Sequence, residues 1–535
     1  MRRRRKGIPP RLFAETLPRW DETTPVLAAA EKNIKSVTVR RGLGLAAFSG
    51  FLLTLAFPRW NLWPLAWGGL VPLLQAVERS RSRKEAFLFG FTAGFTFYLL
   101  SLSWLRHVTV FGLFFVVTML AVYWGLFGVI LRRGGFLFLS SAWVILEWIR
   151  TEIPVWGFGW NLLGYSQSPN LLVAQLASVG GVYAVSFLVV LGNVVFYSLI
   201  RTGVRKELWS GILFSLLMSA VLLFGWSRIQ TLKPRSFARI SVLQGNIPQL
   251  LKWEPKYKQE ILKVYLNLTE LASYDAPALI VWPEAAYPGF FNRDLDNEPV
   301  KALAQKIRIP LLVGSPHQED YGYFNSAYLL LPPAARIAER YDKIRLVPFG
   351  EYVPWKRILG FLEPYAYALG VSDFSAGKEW TLFRWKEEGP VFGVLICFED
   401  IFPDLARQFA NRGADFLAVI TNDAWFGHSS AAYQHVQASV FRAIENGISM
   451  IRAANTGVSC FISARGEIVE RVRNQEGKDT FVMGGMTYSV ALGNEKTIYR
   501  RYGWAFPFSC LAYFFVWTVV CLLRIPKKSE VAHAS

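Results

Sequence analysis

Three short segments of the sequence end in side chains that support nucleophilic acyl chemistry. One apolar run closes on Glu284, a mixed segment carries Lys343, and a second apolar run closes on Cys397. A thiol is a strong nucleophile only as a thiolate, so Cys397 needs a base or a positively charged neighbour. A carboxylate enclosed by apolar residues can act as that base, and an ammonium group can stabilise an oxyanion. Together the three residue types supply a complete mechanism for acyl transfer through a covalent intermediate.

Each of these residues also has an ordinary structural explanation. Cysteine is among the residue types most often buried, and a lone lysine is in most cases a solvated surface charge. Glu284 follows a proline and could serve the first turn of a helix, where a carboxylate interacts favourably with the helix dipole. None of the three residues supports a function when it is taken alone.

The elements that must position these side chains lie in a long stretch of mixed polarity, residues 235–495. Short runs rich in Val, Ile and Leu predict strands, and the patterns at 254–273 and 431–446 predict helices between them. Such alternation is typical of sheets covered by helices, so this stretch is predicted to be an α/β domain. The predicted strands are Arg239–Gln244, Ala278–Trp282, Pro310–Gly314, Val391–Cys397, Phe416–Thr421 and Gly447–Ala453.

The rest of the chain has the composition of a membrane protein. Hydrophobic residues make up 53% of the sequence and charged residues only 18%, whereas a soluble protein carries about 25% charged residues. A helix needs about 20 apolar residues to cross the hydrocarbon of a bilayer. Eight apolar runs approach that length and predict about eight transmembrane helices: 43–57, 61–77, 86–105, 109–131, 136–150, 173–200, 208–227 and 504–523.

The distribution of Lys and Arg predicts the orientation of these spans. Loops 78–85, 132–135 and 201–207 are dense in basic residues, and basic loops remain on the cytoplasmic side of a bilayer. We therefore expect both termini in the cytoplasm and the α/β domain on the opposite side. The predicted order is a basic cytoplasmic tail at 1–40, a seven-helix membrane domain at 41–230, an exported catalytic domain at 235–495, a last span at 503–524 and a cytoplasmic tail at 525–535.

The distribution of charge and the spacing of Cys and His disfavour a nucleic-acid-binding protein, a disulfide scaffold and a metalloprotein. The net charge of +19 lies in short clusters between apolar runs, and no recognition helix or stacking motif accompanies it, so we expect no nucleic-acid partner. The four cysteines are too few for a disulfide scaffold and lack metal spacing. His428 and His435 likewise have no acid at metal spacing and are interpreted as ordinary residues. We expect neither a metal nor an organic cofactor.

The longer motifs around the three chemical residues resemble the nitrilase superfamily. The match covers about 239–490 and includes Trp282-Pro-Glu284, Lys343, Cys397-Phe-Glu399 and Thr421-Asn-Asp-Ala-Trp-Phe-Gly427. With seven predicted spans before this region and one after it, the whole chain resembles the apolipoprotein N-acyltransferases of double-membrane bacteria. The further motifs that fit this family are Gln244-Gly-Asn-Ile-Pro248, Trp253 and Arg452-Ala-Ala-Asn-Thr-Gly457. The combination is highly specific, although any one motif alone is weak.

The resemblance implies an αββα sandwich and assigns roles to residues of this sequence. Cys397 would be the acylated nucleophile, Glu284 the general base and Lys343 the oxyanion stabiliser. The supporting or substrate-binding residues that it implies are Trp253, Glu351, Phe398, Glu399 and Trp425. This family often has Tyr where Phe398 stands, so a role for that hydroxyl is absent here, although the backbone N–H of Phe398 is retained.

The resemblance also implies a two-step reaction at the bacterial inner membrane. An acyl chain would pass from a membrane phospholipid to Cys397 as a thioester, and then to the N-terminal α-amine of a diacylglyceryl-cysteine apolipoprotein in the periplasm. Two alternatives remain: a membrane-tethered amidase with the same triad, and a non-catalytic membrane receptor or transporter with a degenerate domain. Eight spans exceed what a tether needs, and an intact Glu, Lys and Cys set disfavours degeneracy.

Overall fold

The N-terminal part of the chain is built from helices. A computed structural model describes residues 25–132, 134–153, 157–360, 373–493 and 495–523. The helices before residue 235 are α1 (Pro25–Leu55), α2 (Val71–Glu78), α3 (Arg83–Ser101), α4 (Val110–Ile130), α5 (Phe136–Glu152), α6 (Leu171–Ala174), α7 (Ala177–Thr202) and α8 (Leu208–Thr231).

Four helices within the described ranges are long and apolar enough to cross a membrane. They are α4, α7, α8 and the C-terminal helix Ala505–Leu523. The apolar stretch of α7 is 83% buried, whereas those of α8 and the C-terminal helix are each 11% buried. α7 is therefore enclosed by its neighbours, while the other two present apolar side chains outward, as a helix in contact with lipid does.

The other predicted spans differ from simple crossing helices. α1 begins at Pro25, so residues 25–40, which the sequence assigned to a basic tail, are helical. α5 has 17 residues, slightly fewer than the about 20 that a crossing helix needs. Residues 1–24 and 524–535, which hold the rest of the two predicted tails, lie outside the described residues.

The second predicted span, 61–77, is broken into two short helical pieces. A 3₁₀ turn at Trp63–Trp67 is followed by α2. Asn193 of α7 satisfies the freed backbone groups, because its Nδ2 donates to the Ala66 carbonyl and its Oδ1 accepts from the Leu70 N–H, each over 2.8 Å. A polar side chain of a neighbouring helix thus replaces the backbone hydrogen bonds that the break in the helix removes.

The following part of the chain folds as an α/β domain. Its strands are β1 (Ser236–Gln244), β2 (Leu279–Val281), β3 (Leu311–Glu319), β4 (Gly322–Leu331), β5 (Arg336–Asp342), β6 (Leu382–Arg384), β7 (Val391–Ile396), β8 (Phe416–Thr421), β9 (Ser449–Ala454), β10 (Cys460–Ile462), β11 (Ile468–Arg471) and β12 (Gly484–Leu492). The remaining helices are α9 (Lys258–Ser273), α10 (Glu298–Ile307), α11 (Lys356–Leu359), α12 (Pro403–Asn411), α13 (Ala431–Asn446), α14 (Ile498–Tyr502) and α15 (Ala505–Leu523).

The strands form two six-stranded sheets, in the orders β12-β1-β2-β3-β4-β5 and β11-β10-β9-β8-β7-β6. Successive residues of a strand point to opposite faces. Val242 and Val281 accordingly join the core between the sheets, whereas Leu243 and Ile280 pack outward with residues of α9 such as Ile261. α12 and α13 pack against the second sheet. The nitrilase-like α/β domain with two sheets that the sequence predicts is confirmed.

Several strands end at the same edge of each sheet. β1, β2 and β3 are parallel, and β5 runs the same way because two antiparallel steps separate it from β3. β7, β8 and β9 are also parallel to each other. Ligands bind outside the carboxyl ends of such strands. The chain leaves β2, β5, β7 and β8 at these ends and reaches Glu284, Lys343, Cys397 and Asp423 within a few residues.

Candidate active site

The structure brings the three residues singled out by the sequence into one cluster. The Lys343 Nζ lies 3.9 Å from the Glu284 Oε1. Both charges act on the thiol of Cys397, whose pKa is raised by burial and by Glu284 and lowered by Lys343. Glu284 is 8% exposed and Lys343 is 1% exposed. The three groups meet because each follows the carboxyl end of a strand.

Carboxylates hold the Lys343 side chain in place. Its Nζ donates to the Glu351 Oε1 over 2.8 Å, and the Glu351 Oε2 accepts from the Val347 N–H over 2.8 Å. Burial lowers the pKa of Lys343, but the carboxylates of Glu351 and Glu284 outweigh it and raise that pKa above its usual range. Lys343 therefore remains a cation, which is what an oxyanion stabiliser must be.

Asn325, on β4, joins the two carboxylates and was not among the predicted site residues. Its Nδ2 donates to the Glu284 Oε1 over 2.7 Å and to the Glu351 Oε1 over 2.9 Å. Its backbone carbonyl accepts from the backbone N–H of Lys343 over 2.9 Å. One residue thus fixes the two carboxylates through its side chain and the main chain of Lys343 through its own. The sequence could have indicated Asn325 in one way: it is an amide inside an apolar strand, and a buried polar group without a partner is costly.

Cys397 begins a sharp turn between β7 and the 3₁₀ segment Cys397–Ile401. Its φ is 53°, in the left-handed region that a residue other than glycine rarely adopts. Such backbone strain is characteristic of functional sites. Burial and the Glu284 carboxylate raise the pKa of the thiol, against the Lys343 ammonium and the Thr421 hydroxyl. The sulfur is consequently protonated at rest, so attack on a carbonyl requires a base to remove its proton.

Glu399 connects the Cys397 turn to the segment that carries Lys343. The Glu399 Oε1 accepts from the Ile344 and Arg345 N–H groups over 2.7 and 3.0 Å. Its Oε2 accepts from the Ile396 N–H over 2.8 Å. Burial raises the pKa of this carboxyl to about 7, although these backbone donors favour the charged form. Glu399 is fully buried and supports the site by fixing the two chain segments relative to each other.

A buried charge network lies beneath the Cys397 turn. The His435 Nε2 is 2.7 Å from the Asp400 Oδ1, and its Nδ1 is 3.0 Å from the Asp423 Oδ1. Burial lowers the pKa of His435, but Asp400 and Asp423 outweigh it and raise that pKa to about 9. Arg452 also contacts Asp400, over 2.5 Å. The imidazolium thus links the residues that follow β7 and β8 to α13.

The sequence interpreted His435 as an ordinary residue, because its acidic partners are remote along the chain. In the structure, His435 is instead the centre of the charge network that supports the Cys397 turn. Within the described residues, no group of three or more His, Cys, Asp or Glu side chains is arranged to hold a metal ion.

The three predicted aromatic residues occupy different parts of the site. The Phe398 ring packs against Phe158, in the loop after α5, with 6.2 Å between ring centroids. Trp253 is 51% exposed and Trp425 is 43% exposed. Neither tryptophan is committed to the core, so both are available to contact a substrate. Their roles in binding stay predictions.

Loops of the helical N-terminal part of the chain form one side of the site. The Nε1 groups of Trp104 and Trp160 donate to the Oε1 of Gln434, over 3.0 and 2.9 Å. The Trp160 ring lies 5.1 Å from the ring of His435, and Phe426 lies 4.5 Å from Trp104. Trp160 and Phe426 thus pack where the helical part of the chain meets the α/β domain. Residues 154–156, just before this loop, lie outside the described residues.

Two charged residues of α5 hold the loop that carries Trp160. Arg150 donates through Nη1 to the carbonyls of Phe158 and Trp160 over 2.7 and 3.1 Å. Glu147 accepts from the Leu163 N–H over 2.7 Å. Ionisable residues inside a membrane domain are a functional signal, and here they position the loop that lies beside the catalytic domain.

Comparison with known proteins identifies both parts of the chain. Residues 49–195 match the family model described as the apolipoprotein N-acyltransferase N-terminal domain, and residues 239–487 match the carbon-nitrogen hydrolase model. Among solved structures, a mutant of the Nesterenkonia AN1 amidase from the nitrilase superfamily covers 49% of this chain and 93% of its own, at 18% identity and a TM-score of 0.36.

Two curated relatives align over nearly the full length. An apolipoprotein N-acyltransferase from Geobacter metallireducens is 38% identical over 505 residues, which cover 88% of this chain and 94% of the relative. An apolipoprotein N-acyltransferase from Chlorobaculum tepidum is 30% identical over 529 residues, which cover 90% of this chain and 96% of the relative. This similarity shows that the chain belongs to the apolipoprotein N-acyltransferase family.

Proposed function

We propose that this chain transfers a fatty acyl group from a membrane phospholipid, through a thioester on Cys397, to the α-amine of a diacylglyceryl-cysteine apolipoprotein. Family membership makes the chain an acyltransferase and supports lipoprotein N-acylation as its reaction. One observation carries the mechanism: Lys343 is held between Glu284 and Glu351 beside the Cys397 thiol.

The first half-reaction loads the enzyme. Glu284 accepts the thiol proton while the Cys397 sulfur forms a bond to the ester carbonyl carbon of the phospholipid. The Lys343 ammonium and the backbone N–H of Phe398 stabilise the resulting oxyanion. The bond to the glycerol oxygen then breaks, and Glu284 returns its proton to that oxygen. A lysophospholipid leaves, and the acyl chain remains on Cys397 as a thioester.

The second half-reaction discharges the enzyme. The neutral α-amine of the apolipoprotein attacks the thioester carbonyl, and Glu284 accepts a proton from the nitrogen. The carbon–sulfur bond breaks, the sulfur takes that proton, and the product is an amide. The same residues therefore serve both steps with their acid and base roles exchanged, as a ping-pong reaction requires.

The position of the site supports lipid substrates. Both proposed substrates keep their acyl chains in the bilayer, so a thiol that serves them must lie close to the membrane surface. Phe398, next to the nucleophile, packs against Phe158 of a membrane-domain loop. An amidase that uses the membrane only as a tether has no need of this contact.

We further propose eight membrane crossings in the inner membrane, with both termini in the cytoplasm and a periplasmic catalytic domain within 235–495. The four apolar helices and the basic loops between apolar runs support this arrangement. The broken segment 61–77 supports it as well, because Asn193 satisfies its backbone as a crossing requires. The domain limits 41–230 and 503–524 remain part of the proposal.

Thiol labelling tests this topology. In a Cys397→Ala, Cys521→Ala background, Asp320→Cys should react with an impermeant thiol reagent in intact spheroplasts, because the Asp320 side chain is 97% exposed. Lys84→Cys, in the first turn of α3 on the predicted cytoplasmic side, should react only after the membrane is permeabilised. Labelling of Lys84→Cys but not Asp320→Cys in intact spheroplasts would overturn the orientation.

Acyl transfer itself can be followed with the full chain in vesicles that contain a phospholipid labelled in its acyl chains. We expect the label to appear on a diacylglyceryl-cysteine peptide with a free α-amine and not on the same peptide with its amine already acylated. An amidase would cleave a small amide and leave the peptide unlabelled, and a receptor would bind lipid without turnover. Either of these two results contradicts the proposed function.

A further inference from the structure

Lys252 is a second buried lysine beside the catalytic cluster. It lies in the segment after β1, is 2% exposed, and its Nζ donates to the backbone carbonyl of Glu284 over 2.9 Å. Neither sequence motifs nor the mechanism above assigns it a role. Lysine is almost never fully buried without a partner of opposite charge, so its position requires an explanation.

The hydrogen bonding of Lys252 is incomplete. An ammonium group has three N–H donors, and among the described residues the structure gives this one a single hydrogen-bond acceptor, the carbonyl of Glu284. A buried charge that is partnered by one neutral carbonyl is costly unless nearby anions compensate it. A lysine on the surface would not carry this cost. The buried position of Lys252 therefore indicates that its charge has a role inside the site.

The segment that carries Lys252 is fixed on both sides of the site. Ile247 exchanges two hydrogen bonds with the side chain of Asn455, over 2.9 and 2.7 Å. Gln249 accepts from the side chain of Asn422 over 2.7 Å. Asn422 and Asn455 follow β8 and β9, so the lysine is anchored from the second sheet while it contacts Glu284 of the first.

The titratable groups that face Lys252 are those of the proposed reaction. Burial lowers the pKa of Lys252 to about 8, and the charges of Glu284 and Cys397 oppose this shift. These two groups lie on different sheets, at the ends of β2 and β7. A positive charge therefore lies close to both the base and the nucleophile, in addition to the charge of Lys343.

We propose that Lys252 is a positioning residue that fixes the main chain of Glu284 and places a second positive charge beside Glu284 and the Cys397 sulfur. The inference rests on the proposed function, since it concerns the same two steps. During loading, the charge stabilises the thiolate that forms as Glu284 takes up the thiol proton, because a neighbouring cation favours the thiolate. During discharge, it stabilises the sulfur as it leaves the thioester, where burial alone would make it a poor leaving group.

Variants of Lys252 in the full chain test this role. Lys252→Met retains the length of the side chain without its charge, and Lys252→Arg retains a charge that persists at all accessible pH values. Lys256→Met is the matched control, because Lys256 is an exposed lysine four residues further along the same loop. Each protein is checked by thermal unfolding and gel filtration, and the rate of acyl loading from phospholipid is measured between pH 7 and pH 9.

At pH 7 we expect Lys252→Met to load about 10²-fold more slowly than the wild type, as for loss of one fixed group that stabilises a charge developing in the reaction. The ratio of the two rates should then fall about tenfold between pH 7 and pH 9, because wild-type Lys252 loses its charge through a pKa of about 8. Titration of groups that the Lys252 charge does not influence cancels in this ratio. Lys252→Arg should lack the alkaline loss, and Lys256→Met should match the wild type throughout.

A ratio that is the same at pH 7 and pH 9, or a Lys252→Met rate equal to that of the wild type, would overturn the inference. If Lys252→Met does not fold, the wild-type profile decides, since loading without an alkaline limb near pH 8 contradicts the role. Absence of any acyl adduct in the wild type would instead refute the proposed function, so the two failures are distinguishable.

Discussion

Lys343→Met should load acyl groups about 10²–10³-fold more slowly than the wild type, because it removes a main donor to the oxyanion. The structure makes this lysine a fixed cation: its Nζ is 2.8 Å from Glu351 and 3.9 Å from Glu284. The carboxylates raise its pKa in spite of burial, so the charge is present at every physiological pH. Methionine has a similar length and cannot supply it. Single-turnover loading from a labelled phospholipid measures the effect.

The same substitution leaves two carboxylates without their cation. Removal of one partner from a buried ion pair destabilises a protein by about 3–5 kcal/mol, so thermal unfolding must be recorded beside the rate. Lys306→Met is a suitable control, since Lys306 pairs with Glu270 on the surface and its side chain is 68% exposed. It should load at the wild-type rate. If the Lys343→Met protein folds and its loading rate lies within about threefold of the wild-type rate, Lys343 has no part in the mechanism. A loss of about threefold is far smaller than the loss expected for an oxyanion donor.

Two of the strands that were predicted from the sequence, β7 and β8, are buried along nearly their whole length. β7 and β8 are nearly uninterrupted apolar runs, and such runs are typical of parallel strands in a covered sheet. β5, which leads into Lys343, was not predicted, because Arg336–Asp342 contains four charged residues and only one fully buried position. Its place in the sheet is set by pairing with β4, and no local pattern encodes that pairing.

The residue types of the sequence singled out three reactive groups, and the family resemblance added Glu351 and Glu399, but other supporting residues were missed. The nucleophile, base and cation carry chemistry in their residue types, and motifs surround them. Asn325, His435 and Lys252 have no such signal, because their significance arises only when strands from two sheets meet. His435 contacts Asp400 and Asp423, 35 and 12 residues before it in the chain. These three residues meet only because the strands before Asp400 and Asp423 are neighbours in the sheet, and no local sequence pattern encodes that order.

Cys397→Ala should abolish both loading and transfer, with no residual acyl adduct. No other thiol can replace it: Cys460 and Cys510 are buried, and Cys521 lies at the far end of α15.

The raised pKa of the Cys397 thiol leads to a second expectation, since the acyl-enzyme forms only where Glu284 can accept the proton. Glu284→Gln should therefore leave Cys397 unacylated. Cys521→Ala, which removes an exposed thiol outside the site, should load as the wild type does.

The most direct test of the proposed thioester is mass spectrometry of the purified full chain after incubation with phospholipid alone. The account predicts that intact wild-type protein gains the mass of one acyl chain, that peptide mapping places it on Cys397, and that hydroxylamine removes it as it removes thioesters. A diacylglyceryl-cysteine peptide with a free α-amine should discharge the adduct, and Cys397→Ala should show none. An adduct on another residue, or a Cys397→Ala protein that still acylates the peptide, would contradict the account.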